Sequence, residues 1–354
     1  MTDRDGFLLR WLMPIRELLR AIAAPLSRFF GLRRQQRLGL VILTCTVAFS
    51  LISCLAAPQS PVQIGYSIWP GYESLYLARD LGYYKEKSVR LVNYPSNSEI
   101  IRAFRNGDLD VATLTMYEAL LTAETNPEVK VVLVMDSSHG ADVVLGQPNM
   151  QSLKDIQGKR VGLESGALGA FVFTRAFEQA ELDATGIKLV SLGVSEHETA
   201  FKSGLVDAIV TYEPTRSKLI SKGAKLLFDS SKIPGEIIDV LVVHDQVIRK
   251  RPEVLQEIVK GHFEAIAYMA QNPQDAAKRI APREGVTPQQ FLESLTGIKI
   301  PSIAENREIL GRRDSESQRR VQRVSDFMRQ ANLQRSPISL SSLFDDQFVT
   351  KPFD

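Results

Sequence analysis

Ile64-Gly65-Tyr66-Ser67-Ile68-Trp69-Pro70-Gly71-Tyr72-Glu73 is the stretch on which the fold reading turns. The alternation of Val62, Ile64, Tyr66 and Ile68 reads as a strand, and Pro70-Gly71 is turn punctuation that stops it. Beyond it, Leu75, Leu77, Ala78 and Leu81 recur at helical spacing and end at Gly82. In open α/β sheets, ligands bind past the carboxyl ends of strands, in strand-to-helix loops of this kind. Trp69, Tyr72 and Glu73 are therefore candidates for a binding surface. The alternative is that the two aromatics cap the core and Glu73 is a helix-start acid.

The same unit recurs downstream. A strand over 89–94 is followed by helical spacing of Ile100, Ile101, Ala103 and Phe104, closed by Asn106-Gly107. Asp110 to Leu114 is a short strand that opens into Thr115-Met116-Tyr117-Glu118 and another helix. Apolar, β-branched runs over 129–135 and 142–145 suit buried strands, with a polar loop from Asp136 to Ala141 between them. This βαβ series implies a mostly parallel sheet. After Gly146-Gln147-Pro148 the alternation restarts: a strand over 160–163, the loop Glu164-Ser165-Gly166-Ala167-Leu168-Gly169, a helix through Ala180, and further strands over 187–190, 208–211 and 225–228. Asp239 to Val243 supplies one more strand, and from Pro252 onward the pattern is almost entirely helical.

The composition is that of a globular chain of 354 residues, long enough for two domains, with 44% hydrophobic and 24% charged residues. The net charge of +2 conceals an asymmetry, because residues 1–37 carry eight Arg against Asp3, Asp5 and Glu17. The remainder is mildly acidic, which argues against nucleic acid as a partner. Residues 38–53 hold no charge and follow Arg33, Arg34 and Arg37, the layout of a signal sequence. That run ends in Leu51-Ile52-Ser53-Cys54, which resembles a bacterial lipobox and marks Cys54 as a lipidation site. The competing reading extends the uncharged run through Ser60 as an uncleaved membrane anchor. Both place the body outside the cytoplasm, in the bacterial cell envelope on the outer face of the membrane. Segment 1–37 is itself basic and amphipathic, suited to lying along a leaflet. Cys45 and Cys54 are the only cysteines, so the body has no disulfide, thiolate metal site or cysteine nucleophile.

The succession Gly65-Tyr66-Ser67-Ile68-Trp69-Pro70-Gly71-Tyr72-Glu73, Asn106-Gly107-Asp108-Leu109-Asp110-Val111-Ala112, Leu153-Lys154-Asp155-Ile156-Gln157-Gly158-Lys159-Arg160-Val161-Gly162, Gly204-Leu205-Val206-Asp207-Ala208 and Asp239-Val240-Leu241-Val242-Val243 resembles the substrate-binding proteins of nitrate-, taurine- and alkanesulfonate-type ABC transporters, within the thiamine-pyrimidine synthase-like superfamily. The resemblance covers residues 61–275. It implies an α/β, two-lobed periplasmic-binding-protein fold of type II, with parallel-rich sheets and a central cleft. One lobe would comprise 61–146 plus 240–354, the other 147–239. An ABC permease and its ATPase are the implied partners, with a small-molecule solute carried in the cleft and no cofactor.

In that arrangement Trp69, Tyr72, Glu73, Met116, Tyr117, Glu118, Asp136 and Asp142 face Ser165, Gly166, Ala167, Tyr212 and Glu213 across the cleft. The resemblance implies anion contacts near 116, 117 and 165–167, and the free amides of a helix start at Ser165-Gly166-Ala167 suit an anionic group. It also matches Asp142 and Asp239 to acids that face a ligand amine in taurine-type relatives. Met116-Tyr117-Glu118 departs from the small, hydroxyl-rich residues usual in sulfonate binders. Glu73, Glu118, Asp136, Asp142, Glu164, Glu213 and Asp239 all fall at loop or strand ends, and together with the aromatics they point to an amine-containing or zwitterionic solute.

Enzyme signatures are lacking in the sequence. His197-Glu198 has no second zinc-protease histidine, no GxSxG elbow is present, and Gly166 to Gly169 lacks dinucleotide spacing. His139, His197, His244 and His262 read as surface or internally satisfied histidines rather than metal ligands. The Arg-rich helices after 300 read as a solvated face packed on the first lobe.

Overall fold

Four strands, β1 (Val62–Tyr66), β2 (Val89–Asn93), β3 (Val111–Thr115) and β4 (Val129–Ser138), run in one direction. Helices Glu73–Asp80, Asn97–Asn106 and Met116–Thr125 connect them. The helix starts are written locally: Ser96 accepts the Glu99 amide, and Thr115 and Glu118 form a reciprocal capping box. Gly107 closes the second of these helices in the left-handed region, at φ 80°. The computed structural model describes residues 60–351 apart from 86 and 312–314. The expectations for 1–37, 38–53 and Cys54 lie outside the described residues. No helix among those described is long and apolar enough to cross a membrane.

After β4 the chain crosses into a second sheet made of β5 (Asp142–Gly146), β6 (Arg160–Leu163), β7 (Lys188–Ser191), β8 (Ala208–Tyr212) and β9 (Lys225–Asp229), in the order β7-β6-β8-β5-β9. It then returns through β10 (Ile238–His244) and β11 (Ile298–Lys299), which complete a first sheet of order β11-β4-β10-β3-β1-β2. Two sequence expectations are corrected here. The outward crossing lies at 139–141 rather than after 146, because β5 pairs with β8 and β9 and not with the first sheet. An apolar run such as Val143-Val144-Leu145 fits the buried centre of either sheet, so its composition does not say which. The sheets are also mixed rather than mostly parallel. β10 is inserted antiparallel between β3 and β4, and β5 antiparallel between β8 and β9. Each inserted strand adjoins a crossing between the sheets.

That insertion positions chemistry. A strand running against its neighbours starts where they end, so Asp239 at the head of β10 lies beside Thr115 of β3 and Asp136 of β4. Asp142 at the head of β5 lies beside Tyr212 at the end of β8. The carboxyl ends of both sets of parallel strands thus carry an acid supplied by the inserted antiparallel strand. Asp136 is inside β4, which runs on to Ser138, and not in a loop as the sequence reading had it.

The unit Pro61–Asp354 is held together by apolar packing that runs through both sheets. Tyr117 of the first half packs on Phe171 of the second at 5.5 Å, and Phe171 in turn meets Phe327 of helix Glu316–Gln330 edge-on at 5.8 Å. The C-terminal helices therefore do more than cover the first half. Glu316–Gln330 reaches the second through Phe327, over which the Arg175 guanidinium also lies at 4.7 Å. On the same helix, Arg319 and Arg323 pair with Glu316, and Arg329 with Asp326.

Asn306, fully buried on helix Ile303–Gly311, seals the outer edge of β4 between two short pairings, at Ile298 and at Phe344. Its amide oxygen accepts the Val134 N–H at 2.8 Å and its amide nitrogen donates to the Val134 carbonyl at 3.0 Å. Replacing it with alanine leaves two buried backbone groups unpaired. Asn306→Ala is expected to lower unfolding free energy by about 2–4 kcal/mol, measured by urea denaturation; a loss under about 0.5 kcal/mol contradicts this role for the side chain.

Candidate functional site

Trp69 and Tyr72 are placed by Pro70-Gly71, and the glycine is needed for contact. A Cβ at Gly71 would stand 1.7 Å from Asp136 Oδ2. With only hydrogen there, Trp69 Nε1 donates to that same oxygen at 3.0 Å and the Tyr72 hydroxyl donates to Asp239 Oδ1. The Trp69 ring meets Tyr212 of the second half edge-on at 5.7 Å. Asp142 completes the group, with its own amide donating to Ser138 Oγ at 3.2 Å and its Oδ2 without a partner.

These side chains enclose a cavity of about 10 Å³ lined from the first half by Ser67, Asn97, Thr115 and Asp239 among others, and from the second by Asp142, Leu168 and Tyr212. A second cavity of the same size shares Asn97, Asp142, Leu168 and Tyr212 and continues past them to Glu118, Glu164 and His197. Each has room for roughly one water. The halves are closed on one another.

Two carboxylates fasten that closure, each at the helix start of the opposite half. Glu118 Oε1 accepts the Leu168 N–H that begins helix Leu168–Gln179, at 3.2 Å. Glu164 Oε1, at the end of β6, accepts the Ser98 N–H in the first turn of Asn97–Asn106, at 2.8 Å. Glu118 also takes Asn97 Nδ2 on both oxygens at 3.1 Å and the Thr115 N–H at 2.9 Å. Helix N-termini that face a cleft are anion sites. Here the chain's own glutamates hold both.

The price is burial of negative charge. Burial pushes Glu118 up to about 7, against the hydrogen bonds from Thr115, Asn97 and Leu168, which pull it down. Asp142 is likewise pushed up to about 7 by burial, with the charges of Asp136 and Glu118 adding to the rise. Asp136 and Asp239, side by side on adjacent strands, are both raised by burial, and Asp239 further by Asp136, so the pair holds at least one proton at neutral pH. No Arg or Lys lines either cavity among the described residues.

The remaining expected residues sit elsewhere. Glu73 is fully buried but faces away, paired at 3.0 Å with Arg283 of helix Pro273–Glu284. Glu213 accepts Arg216 at 2.9 Å and Ser217 Oγ at 2.8 Å, so it anchors the start of helix Thr215–Ile220. Met116 and Tyr117 are in the core beneath the cleft, Tyr117 against Phe171. Ser165 and Gly166 are exposed and Ala167 is buried, and it is the Leu168 N–H that meets a carboxylate. Sequence reasoning overlooked Ser67, Asn97, Thr115 and Leu168 as cavity lining and dismissed His197, whose ring lies 1% exposed with Nδ1 3.1 Å from Thr211 Oγ1. Ser96-Asn97 at a helix start was the available signal for one of them.

Residues 55–283 match the NMT1-like family, and the chain belongs to it. Over 188 residues it is 25% identical to a putative aliphatic sulfonates-binding protein of Escherichia coli (strain K12), an alignment that takes in 51% of this chain and 58% of that protein. The alkanesulfonate-binding protein SsuA from Xanthomonas axonopodis pv. citri, solved bound to MOPS, superposes with a TM-score of 0.68 at 17% identity, covering 82% of this chain and 99% of that one. The desulfurization enzyme DSZB superposes with a TM-score of 0.60, also at 17% identity, covering 81% and 97%. The fold is therefore the two-lobed α/β binding-protein architecture, which serves binding proteins and an enzyme alike.

Because these carboxyls are raised on folding, they stabilise the closed fold fully below about pH 4 and cease to do so as pH rises through about 7. The melting temperature of the ligand-free protein is expected to fall between pH 5 and pH 8. Asp142→Asn is expected to flatten that fall and to raise stability at pH 8 by on the order of 1 kcal/mol. A wild-type melting temperature that climbs over this range contradicts the assignment of protonated, buried carboxyls.

Proposed function

We propose that the chain is an extracytoplasmic solute receptor that binds a small amine-containing or zwitterionic solute between its halves and presents the closed form to an ABC permease and its ATPase. The carrying observation is the lining of the cleft: Asp142 and Asp239 face it, Asp136 and Glu118 stand directly behind, and none of these has a cationic partner. A cationic nitrogen would supply the missing charge, donate to Asp142 Oδ2, and lie near the faces and edges of Trp69 and Tyr212. A sulfonate in the same place would meet carboxylates at both helix starts. The likeness to sulfonate-binding relatives therefore supports the mode of binding, by closure of two halves, and not the charge of the solute.

Closure needs contacts that exist only when both halves are engaged. The solute between Asp239 and Asp142, the Trp69–Tyr212 edge contact and the two reciprocal glutamate caps are contacts of that kind. The reading takes the N-terminal segment as address and tether: lipid attachment at Cys54, or an uncleaved anchor over 38–60, holding the body at the outer face of the membrane. A binder is preferred to an enzyme because the hydroxyls lining the cleft, Ser67 and Thr115, are engaged with Asn97 Oδ1 and the Glu118 amide and have no histidine or lysine hydrogen-bonded to them that would activate either as a nucleophile, among the described residues.

A thermal-shift panel of small amines, aminosulfonates, alkanesulfonates and inorganic oxyanions tests the reading. Amines are expected to raise the melting temperature by several degrees and anions not at all, and Asp142→Asn and Asp239→Asn each to abolish the amine shift. Stabilisation by alkanesulfonates alone would sink the charge argument.

A further inference from the structure

We infer that the solute carries two cationic nitrogens and no anionic group, a short aliphatic diamine, because the cleft is divided into two carboxyl-lined compartments that each admit one ammonium-sized group. This rests on the reading of the cleft as an amine receptor and narrows it to one chemical class.

The first compartment is the space between Trp69, Tyr72, Asp239 and Asp142. The second lies past Tyr212 and Leu168 and is bounded by Glu118, Glu164, Asp142 and His197. Each is about 10 Å³. An ammonium group is close to a water molecule in size, so each compartment matches one end of a diamine, while the chain between the ends requires the halves to separate as for any solute of that length. Leu168 and Tyr212 line both, and offer an apolar side chain and an aromatic ring as walls for a methylene chain.

An ammonium has three donors and no acceptor, and an anionic group the reverse. The second compartment is built for the first of these. Asp142 is 3% exposed, lines both compartments, and has Oδ2 without a partner. His197, 1% exposed, has its Nδ1 toward Thr211 Oγ1 and its Nε2 without a partner. With the proton on Nδ1, Nε2 is an acceptor. Burial holds this imidazole down at about 4, so it adds no positive charge at neutral pH to compete with an incoming amine.

The amide donors that an anionic end would need are already taken, and the neutral Tyr212 hydroxyl is the donor left without a partner between the compartments. Asn97 Nδ2 and the Leu168 N–H both go to Glu118, and the Ser98 N–H goes to Glu164. A carboxylate or sulfonate arriving there would have to hold Glu118 and Asp142 in their protonated forms, and would find neither a cation nor a free amide to offset its own buried charge. A zwitterion therefore satisfies one compartment and is rejected by the other, whereas a diamine satisfies both.

Isothermal titration calorimetry on the full-length chain in detergent, with four probes of matched length, reads this directly: 1,4-diaminobutane, 1-aminobutane, 4-aminobutanoate and butane-1-sulfonate. The diamine is expected to bind about 100-fold more tightly than the monoamine, since a second ammonium adds a further set of charge-assisted hydrogen bonds. The zwitterion and the sulfonate are expected not to bind. Glu118→Gln, checked for an intact melting transition, is expected to reduce the diamine's advantage over the monoamine below about tenfold by removing one charge of the second compartment. Binding of 4-aminobutanoate as tightly as the diamine overturns the inference and leaves the amine receptor standing. Equal affinities for diamine and monoamine do the same. Binding of the sulfonate alone overturns both, and a folded protein that binds none of the four overturns the diamine inference.

Discussion

A helix N-terminus offers unpaired amides and a partial positive charge, and a two-lobed binding fold aims such ends at its cleft. In this chain those ends are filled from within, Glu118 on Leu168 and Glu164 on Ser98, each glutamate reaching from one half to the helix of the other. The rest of the cleft follows from that constraint. Two carboxylates committed to the junction occupy the helix-start amides at which the fold could otherwise receive a ligand anion. Glu118 also adds to the negative field in which Asp142 and Asp239 are buried, so protons or a cation have to balance the set. The closing contacts and the selectivity of the cleft are in this way one electrostatic arrangement.

The topology explains how three aspartates come to share so small a space. Each sheet has a single inserted antiparallel strand next to a crossing, and the start of that strand falls level with the carboxyl ends of its parallel neighbours. Asp239, second in β10, and Asp142, first in β5, stand at that level. Asp136 joins them because β4 extends far enough to lie opposite Asp239. Beneath them the Tyr117–Phe171–Phe327 contacts join the halves and the C-terminal helix in one packed row.

Much of this was legible in the residues, and the parts that were not have physical reasons. The strand-loop-helix unit at 62–80 and its repetition came from period-two and helical spacing that the structure reproduces within a residue or two. Trp69, Tyr72, Asp142 and Asp239 were legible as polar or aromatic residues at strand ends, and they do line the first compartment. Glu73 looked equivalent, but its partner Arg283 lies 210 positions on, and no local pattern announces such a pair. Glu213 was more readable, since Arg216 stands at the (i, i+3) spacing that favours an ion pair. His197 was set aside because a lone histidine on a helix is usually a core residue, which it also is; its unpaired Nε2 is visible only once Asp142, Glu164 and Tyr212 are brought around it. The boundary between halves was misplaced for a similar reason. Asp142–Gly146 is apolar enough for either sheet, and only its partners β8 and β9 decide.

The central claim is that buried carboxyls, held partly protonated at neutral pH in the absence of a cation, form the receptor. Proton linkage on binding tests it most directly, by titrating the tightest-binding amine at pH 7 in two buffers of different ionisation enthalpy. The account predicts that binding releases protons, because an incoming ammonium draws Glu118, Asp142 and the Asp136–Asp239 pair into their charged forms. Net proton uptake, or binding with no proton exchanged, would contradict it.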